Sequence, residues 1–148
     1  MRSSVLMAIK AMLFDIGGVL IADIDPPTYD GLAKLFGVSK DDAERAFSKS
    51  KLGFQKGTVD EESFWESFSR ELGKPVPREA MTFWEGLYNE HAKKDADVFG
   101  LADRIRKAGV QTGIVSNIIP PTAQSVREDG LTDGFEPVIF SCEVGYRK

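Results

Sequence analysis

A single carboxylate stands at the end of an apolar run: Ala11, Met12, Leu13 and Phe14 lead into Asp15, followed by Ile16, Gly17 and Gly18. An ionisable group in such a run is costly to bury unless something uses its charge. A hydroxyl and an amide, Ser116 and Asn117, follow a second apolar run over 110–115. Lys148 comes a few residues after a third run, over 137–141. A carboxylate, a hydroxyl and an ammonium converging on one crevice suit phosphoryl transfer. The carboxylate can attack phosphorus and split one difficult step into two. The hydroxyl and nearby N–H groups can hold the phosphoryl oxygens while the ammonium neutralises charge, and such positioning is most of the catalysis.

These groups need elements that aim them at one place. Short, nearly all-apolar runs read as parallel strands covered on both faces, here over 11–16, 110–115 and 137–141. Gly17 and Gly18 allow a sharp turn or a close approach of a ligand to the backbone. A helix is expected over 97–108, with Val98, Leu101 and Ile105 inward and Gly109 at its end. Another begins at Pro120 and Pro121. Strands alternating with helices imply a parallel sheet with crossover connections. Ligands of such sheets bind outside the carboxyl ends of the strands, where Asp15 and Ser116 stand.

The first two strands are separated by far more chain than the dozen or so residues a crossover needs. That stretch reads as helical. A helix over 27–36 carries Leu32, Leu35 and Phe36 on one face and stops at Gly37. Ser39 offers an N-cap to a second, bearing Ala43, Ala46 and Phe47. Thr58 and Glu61 have the spacing of a capping box opening a third, with Phe64, Trp65, Phe68 and Leu72 inward and Gly73 as its stop. After Pro75 and Pro77 a fourth presents Met81, Trp84, Leu87 and Tyr88. The aromatic residues form the seam between these helices, and one or two can face the mouth of the site. The predicted organisation is a Rossmann-like parallel α/β core over 11–23 and 93–148, with an all-helical cap inserted over 24–92.

Composition narrows the function classes. The 148 residues carry 19 basic and 23 acidic side chains for a net charge of −4, with no Lys or Arg run, so nucleic acid is not an expected partner. Cys142 is the one cysteine and His91 the one histidine, which excludes an internal disulfide and a Cys/His zinc site. These counts suit a reducing cytoplasm, the expected location. Arg2 and the apolar run over 5–9 resemble the start of a signal peptide, but Lys10 and Asp15 interrupt it, and no membrane partner is expected. His91 reads as a surface residue at a helix end. Asp41, Asp42, Asp60, Glu61 and Glu62 read as acids favoured at helix N-termini, without the spacing of an EF-hand calcium loop.

The stretch 12–21, an apolar strand, Asp15 and a Gly-rich turn, resembles the first motif of the haloacid dehalogenase superfamily. Ile114, Val115, Ser116 and Asn117 resemble its second, a strand ending in Ser or Thr. The stretch 143–148 resembles the approach to its third-motif lysine. The three run in the family's order from about residue 11 to the last residue, and the helical insertion resembles the superfamily's commonest cap. The resemblance implies a magnesium-dependent phosphatase of a small phosphorylated molecule, with Mg2+ as cofactor. Asp15 would be nucleophile and metal ligand, with the Gly17 backbone carbonyl as a second ligand. Ser116 would bind the transferring phosphoryl group and Lys148 would stabilise the charged centre. Gly18 and Asn117 would assist in substrate binding.

Two departures qualify the resemblance. Gly17 stands where many of the family's phosphatases carry a second Asp as general acid. The pattern Asp15, Gly17, Val19, with Asp23 and Asp25 after it, is closer to a branch containing sugar-1-phosphate phosphatases. Asp23, Asp25 or water would then replace the acid. The family's fourth motif, an acidic pair completing the magnesium site, does not follow Lys148, and the chain reads as truncated. Its first strand would then offer an unpaired edge, through which the chain would dimerise or exchange a strand. The alternatives are a metal-free dehalogenase-like hydrolase using the same Asp on carbon, or a non-catalytic module.

Overall fold

The computed structural model describes residues 8–148. Most of the apolar run over 5–9 lies outside them. Three strands, β1 (Ala11–Phe14), β2 (Gln111–Ser116) and β3 (Val138–Phe140), form one parallel sheet in the order β1-β2-β3. Ala11 pairs with Gln111 and Phe14 with Ile114, while Ile114 pairs with Val138 and Ser116 with Phe140. This register brings the carboxyl ends of β1 and β2 to one side of the molecule. The fold is thus α/β with a parallel Rossmann-like core, as the alternation of strand and helix predicts. The first strand is two residues shorter than expected, because the backbone turns at Asp15 and the carbonyl of Ile16 accepts the N–H groups of Val19, Leu20 and Ile21.

Between β1 and β2 lie α1 (Asp25–Phe36), α2 (Lys40–Lys56), α3 (Glu61–Leu72), a 3-10 turn over Arg78–Thr82, α4 (Phe83–His91) and α5 (Ala96–Lys107). α6 (Pro120–Glu128) connects β2 to β3, and the short α7 (Ser141–Val144) follows. Local chemistry sets several of these boundaries. Pro26 and Pro27 lie in the first turn of α1, where missing N–H groups lose no helix hydrogen bond. The Ser39 hydroxyl accepts the Asp42 N–H and caps α2, as expected. α3 departs from its expected capping box. Asp60 is its N-cap, its carboxylate accepting the Ser63 N–H at 2.8 Å. The Thr58 hydroxyl instead donates back to the Gly53 carbonyl in the turn that closes α2.

Burial divides the chain into two apolar clusters. One surrounds the sheet, with Phe14, Leu20, Ile114, Val126, Leu131 and Phe140 at its centre. The other lies among α1 to α4 and is built on aromatic rings: Phe54, Phe64 and Phe68 are completely buried, and Trp65 and Trp84 stack with centroids 5.5 Å apart. Each large side chain buried this way contributes about 1.5–3 kcal/mol. Two inward assignments fail. Met81 is 84% exposed because it sits in the 3-10 turn, whose buried residue is Ala80. Leu101 is exposed as well, since α5 turns Ala102 to the sheet instead.

Three contacts tie the helical layer to the sheet. The outgoing and returning chain run antiparallel, with Ala22 N–H donating to the Lys93 carbonyl and Asp95 N–H to the Leu20 carbonyl. The Tyr88 hydroxyl of α4 donates to Asp129 at the end of α6, and Lys94 pairs with the same carboxylate. Burial and the Asp129 charge push the Tyr88 phenol well above its ordinary pKa, keeping it a donor. At the end of α2, Gly57 lies against the backbone of Cys142 in α7. A Cβ there would stand 2.0 Å from the Cys142 carbonyl oxygen, and its φ of +71° also favours glycine.

Candidate active site

β1 ends at Phe14 and delivers Asp15 to the carboxyl edge of the sheet. One carboxylate oxygen of Asp15 accepts the Ile16 N–H at 2.7 Å, which fixes its direction. The other accepts from the Lys148 ammonium, also at 2.7 Å. Burial alone would push the Asp15 carboxyl up. The Lys148 ammonium, the Ile16 N–H and the Ser116 hydroxyl together outweigh it and hold the pKa below the ordinary carboxylate value. Asp15 is therefore ionised throughout the neutral range. Ser116, the last residue of β2, is buried, and its hydroxyl is shared between this carboxylate and the Asn117 carbonyl.

Lys148 is held from several sides. Its ammonium also donates to the Val115 carbonyl at 3.1 Å. Its backbone N–H donates to Asn117 Oδ1 at 2.9 Å, and Asn117 Nδ2 donates back to the Lys148 carbonyl. Asn117 thus acts as a positioning residue for the lysine. The loop carrying Ser116 and Asn117 is itself pinned by Ser141, a residue that no local pattern singles out. Its buried hydroxyl accepts the Ile118 N–H at 2.9 Å and donates to the Ile118 carbonyl.

The expected site residues do not all meet. Asp15, Gly17, Ser116, Asn117 and Lys148 line one cleft of about 270 Å³ between the sheet edge and the helices. Gly18 does not line it: its N–H is committed to the Ile21 carbonyl at 2.9 Å, and it borders a different hollow, beside Lys93 and Lys94. The cleft also contains groups from the helical layer, namely Asp25 and Thr28 of α1, Lys51 and Gln55 of α2, and Trp84 of α4. Lys51 and Gln55 escape a sequence reading because they are ordinary polar residues on a surface helix, and only the docking of that helix aims them. Asp23 is used at the start of α1, where its carboxylate accepts the Asp25 N–H at 3.0 Å. Partial burial pushes the Asp25 carboxyl above its ordinary value, against the pull of Lys51 and with the help of the Asp23 charge.

The oxygen donors facing the cleft suit a hard cation. Asp15 supplies a carboxylate, and no described backbone N–H donates to the Gly17 carbonyl. A Cβ at Gly17 would meet nothing within 4 Å, so the cleft is open there. Among the described residues no group of three or more His, Cys, Asp or Glu is arranged to hold a metal alone. Such a donor set fits magnesium, which commonly takes one or two carboxylates and completes its shell with water and substrate phosphate.

No family model matches the sequence, and no curated protein sequence does. Solved structures do match. A magnesium complex of a HAD family enzyme from Bacteroides thetaiotaomicron superposes with a TM-score of 0.75 at 21% identity, covering 95% of this chain and 71% of that one. A predicted HAD-like family hydrolase from Porphyromonas gingivalis gives 0.70 at 23% identity over 95% and 70%. A HAD phosphatase from Thermococcus onnurineus gives 0.54 at 25% identity over 95% and 66%. The Bacteroides enzyme is also known as a complex with magnesium and inorganic phosphate. With the strand order, the helical insertion and the carboxylate at the end of β1, these likenesses establish that the chain has the haloacid dehalogenase fold.

Proposed function

We propose that the protein is a magnesium-dependent phosphatase that hydrolyses a small phosphomonoester through an aspartyl-phosphate on Asp15. The observation that carries this reading is the 2.7 Å pairing of Asp15 with Lys148 at the carboxyl end of β1, beside Ser116. A carboxylate held ionised and aimed by a backbone N–H is a ready nucleophile. The cleft is close to the lower end of the roughly 300–1,000 Å³ usual for small-molecule sites, which favours a small substrate. Residues 24–92 serve as a cap over that site, and residues 11–23 with 93–148 as its core.

A carboxylate oxygen of Asp15 attacks phosphorus as the bond to the leaving oxygen breaks. The leaving alkoxide takes a proton, and the aspartyl-phosphate remains. Water then attacks phosphorus as the bond to the Asp15 oxygen breaks, and its proton passes to the base left by the acid of the first step, so that inorganic phosphate is released and the carboxylate restored. Ser116 and neighbouring N–H groups hold the phosphoryl oxygens, and Lys148 offsets their charge. Magnesium, bound by Asp15 and the Gly17 carbonyl, would supply further charge neutralisation on the phosphoryl oxygens. Gly17 has no proton to give. We assign the donor's role to Asp25, because its carboxyl lines the cleft and burial raises its pKa above the ordinary carboxylate value, whereas Asp23 is occupied with the start of α1.

Steady-state assays of p-nitrophenyl phosphate, with and without magnesium, test this reading. Hydrolysis should require the metal and should fall to background in Asp15→Asn, which keeps the shape of the side chain but is a poor nucleophile. Turnover persisting in Asp15→Asn would refute the assignment. Metal-independent release of halide from a 2-haloacid would replace it with chemistry on carbon.

A further inference from the structure

Among the described residues two buried side-chain polar atoms lack a hydrogen-bond partner, Gln55 Oε1 and Trp84 Nε1. Both residues line the cleft that holds Asp15. Buried polar groups in folded proteins are nearly always paired, and a buried indole N–H usually finds an acceptor. An unpaired acceptor and an unpaired donor on the wall of one cleft therefore point to a ligand. They come from the helical layer, Gln55 from α2 and Trp84 from α4, whereas Asp15, Ser116 and Lys148 come from the sheet edge.

The chemistry of these groups selects the ligand. Trp84 Nε1–H can only donate, and Gln55 Oε1 as placed can only accept. A hydroxyl does both. Lys51 lines the same wall, where its charge lies close enough to pull on the Asp25 carboxyl. The Phe47 ring, with the Lys51 ammonium 5.7 Å from its centroid, adds an apolar surface for carbon-bound hydrogens. We infer that Gln55 and Trp84 form a leaving-group subsite that takes a chain carrying adjacent hydroxyls, so that the preferred substrate is a polyol phosphomonoester. This deepens the phosphatase reading and rests on it for the placement of the phosphate at Asp15.

The test compares glycerol 1-phosphate with propyl phosphate, which differs only in lacking the two hydroxyls. With the wild-type chain and magnesium, kcat/KM should favour the glycerol ester by about ten- to a hundredfold, since a site built to bond a hydroxyl strongly rejects an analogue without it. In Gln55→Leu the ratio should fall toward one. A binding measurement keeps the question open to refutation if that variant does not fold. In ¹⁵N-labelled Asp15→Asn protein, where turnover is blocked, the Trp84 indole resonance is assigned by its persistence in Trp65→Phe. Glycerol 1-phosphate should move it and propyl phosphate should not. If both esters are hydrolysed equally and the indole does not respond, the subsite is refuted while the phosphatase stands. If no phosphate ester is hydrolysed but the indole responds to the glycerol ester alone, the subsite stands and the phosphatase reading falls.

Discussion

The helical layer and the sheet bury themselves in different ways. In the helices the rings close on one another: Phe54 and Phe64 stack at 4.4 Å, and Phe64 also meets Phe47, Trp65, Phe68 and Trp84. In the sheet, β2 is almost wholly covered while its partner β1 leaves Leu13 57% exposed. The site follows the same division. On the sheet side short polar ties set the geometry, Asn117 to Lys148 and Ser141 to the Ile118 backbone. On the helical side an aromatic framework carries groups whose bonds are left for something else. A nucleophile needs its direction fixed before substrate arrives, whereas recognition groups need only a stable wall to stand on.

The first way to break this comparison is to remove the ring at the centre of the aromatic cluster. Phe64→Ala should cost about 3–5 kcal/mol of stability, because a tightly interlocked group of rings cannot collapse into the space left behind. Chemical denaturation would show the loss. A cost below about 1 kcal/mol would mean that the cluster is loosely packed. The second removes the charge that faces Asp15. Lys148→Met should lower kcat by roughly 10²–10³-fold, as removal of one preorganised stabilising group does elsewhere, while stability changes little because the pair is partly exposed. Asn117→Ala should show a smaller part of the same kcat defect, since it acts only by placing the lysine. A change confined to KM would contradict that positioning role.

Much of this arrangement is legible in the sequence because it is local. The apolar runs, the glycine stops at Gly37 and Gly73, and the Ser39 cap each follow from a few neighbouring residues, and they place Asp15 and Ser116 at strand ends. Errors arise where two local signals compete. Thr58 and Asp60 both suit an N-cap, and backbone geometry chose Asp60. Met81 and Leu101 fit a helical stripe, but a 3-10 turn and a small-residue contact at Ala102 displace them. Gly18, expected to assist in substrate binding, borders another hollow and gives its N–H to the Ile21 carbonyl. Lys51, Gln55 and Ser141 depend on how elements distant in sequence dock, so no spacing reveals them.

Asp25 joins the two halves, since α1 brings an acid of the helical layer to the chemistry of the sheet. If it protonates the leaving group, Asp25→Asn should slow alkyl phosphates by at least about tenfold and leave p-nitrophenyl phosphate, whose leaving group needs no proton, much less affected. The pH profile carries a sign. A raised carboxyl pKa keeps the acid form to higher pH, so kcat/KM for alkyl esters should fall as pH rises through the Asp25 pKa. That limb should vanish in Asp25→Asn. Its persistence would assign the proton to another group.

The smallest effect expected is at the open side of β1. The strand pairs only with β2 among the described residues, and Leu13 and Ile9 are both exposed beside its free edge. Unpaired N–H and C=O groups on an apolar strand are a template for another strand. The covered helical layer presents no such row, which makes the sheet the half expected to associate. Light scattering over a range of concentrations should show a monomer–dimer equilibrium through this edge. Leu13→Lys should shift it toward monomer, because charged side chains on edge strands oppose pairing. Folding stability should move by no more than about 0.5 kcal/mol, as for other exposed positions. A monomer at every concentration, with the β1 amides protected from hydrogen exchange, would mean that the edge is covered by the chain itself and that the contrast between the halves is smaller than Leu13 suggests.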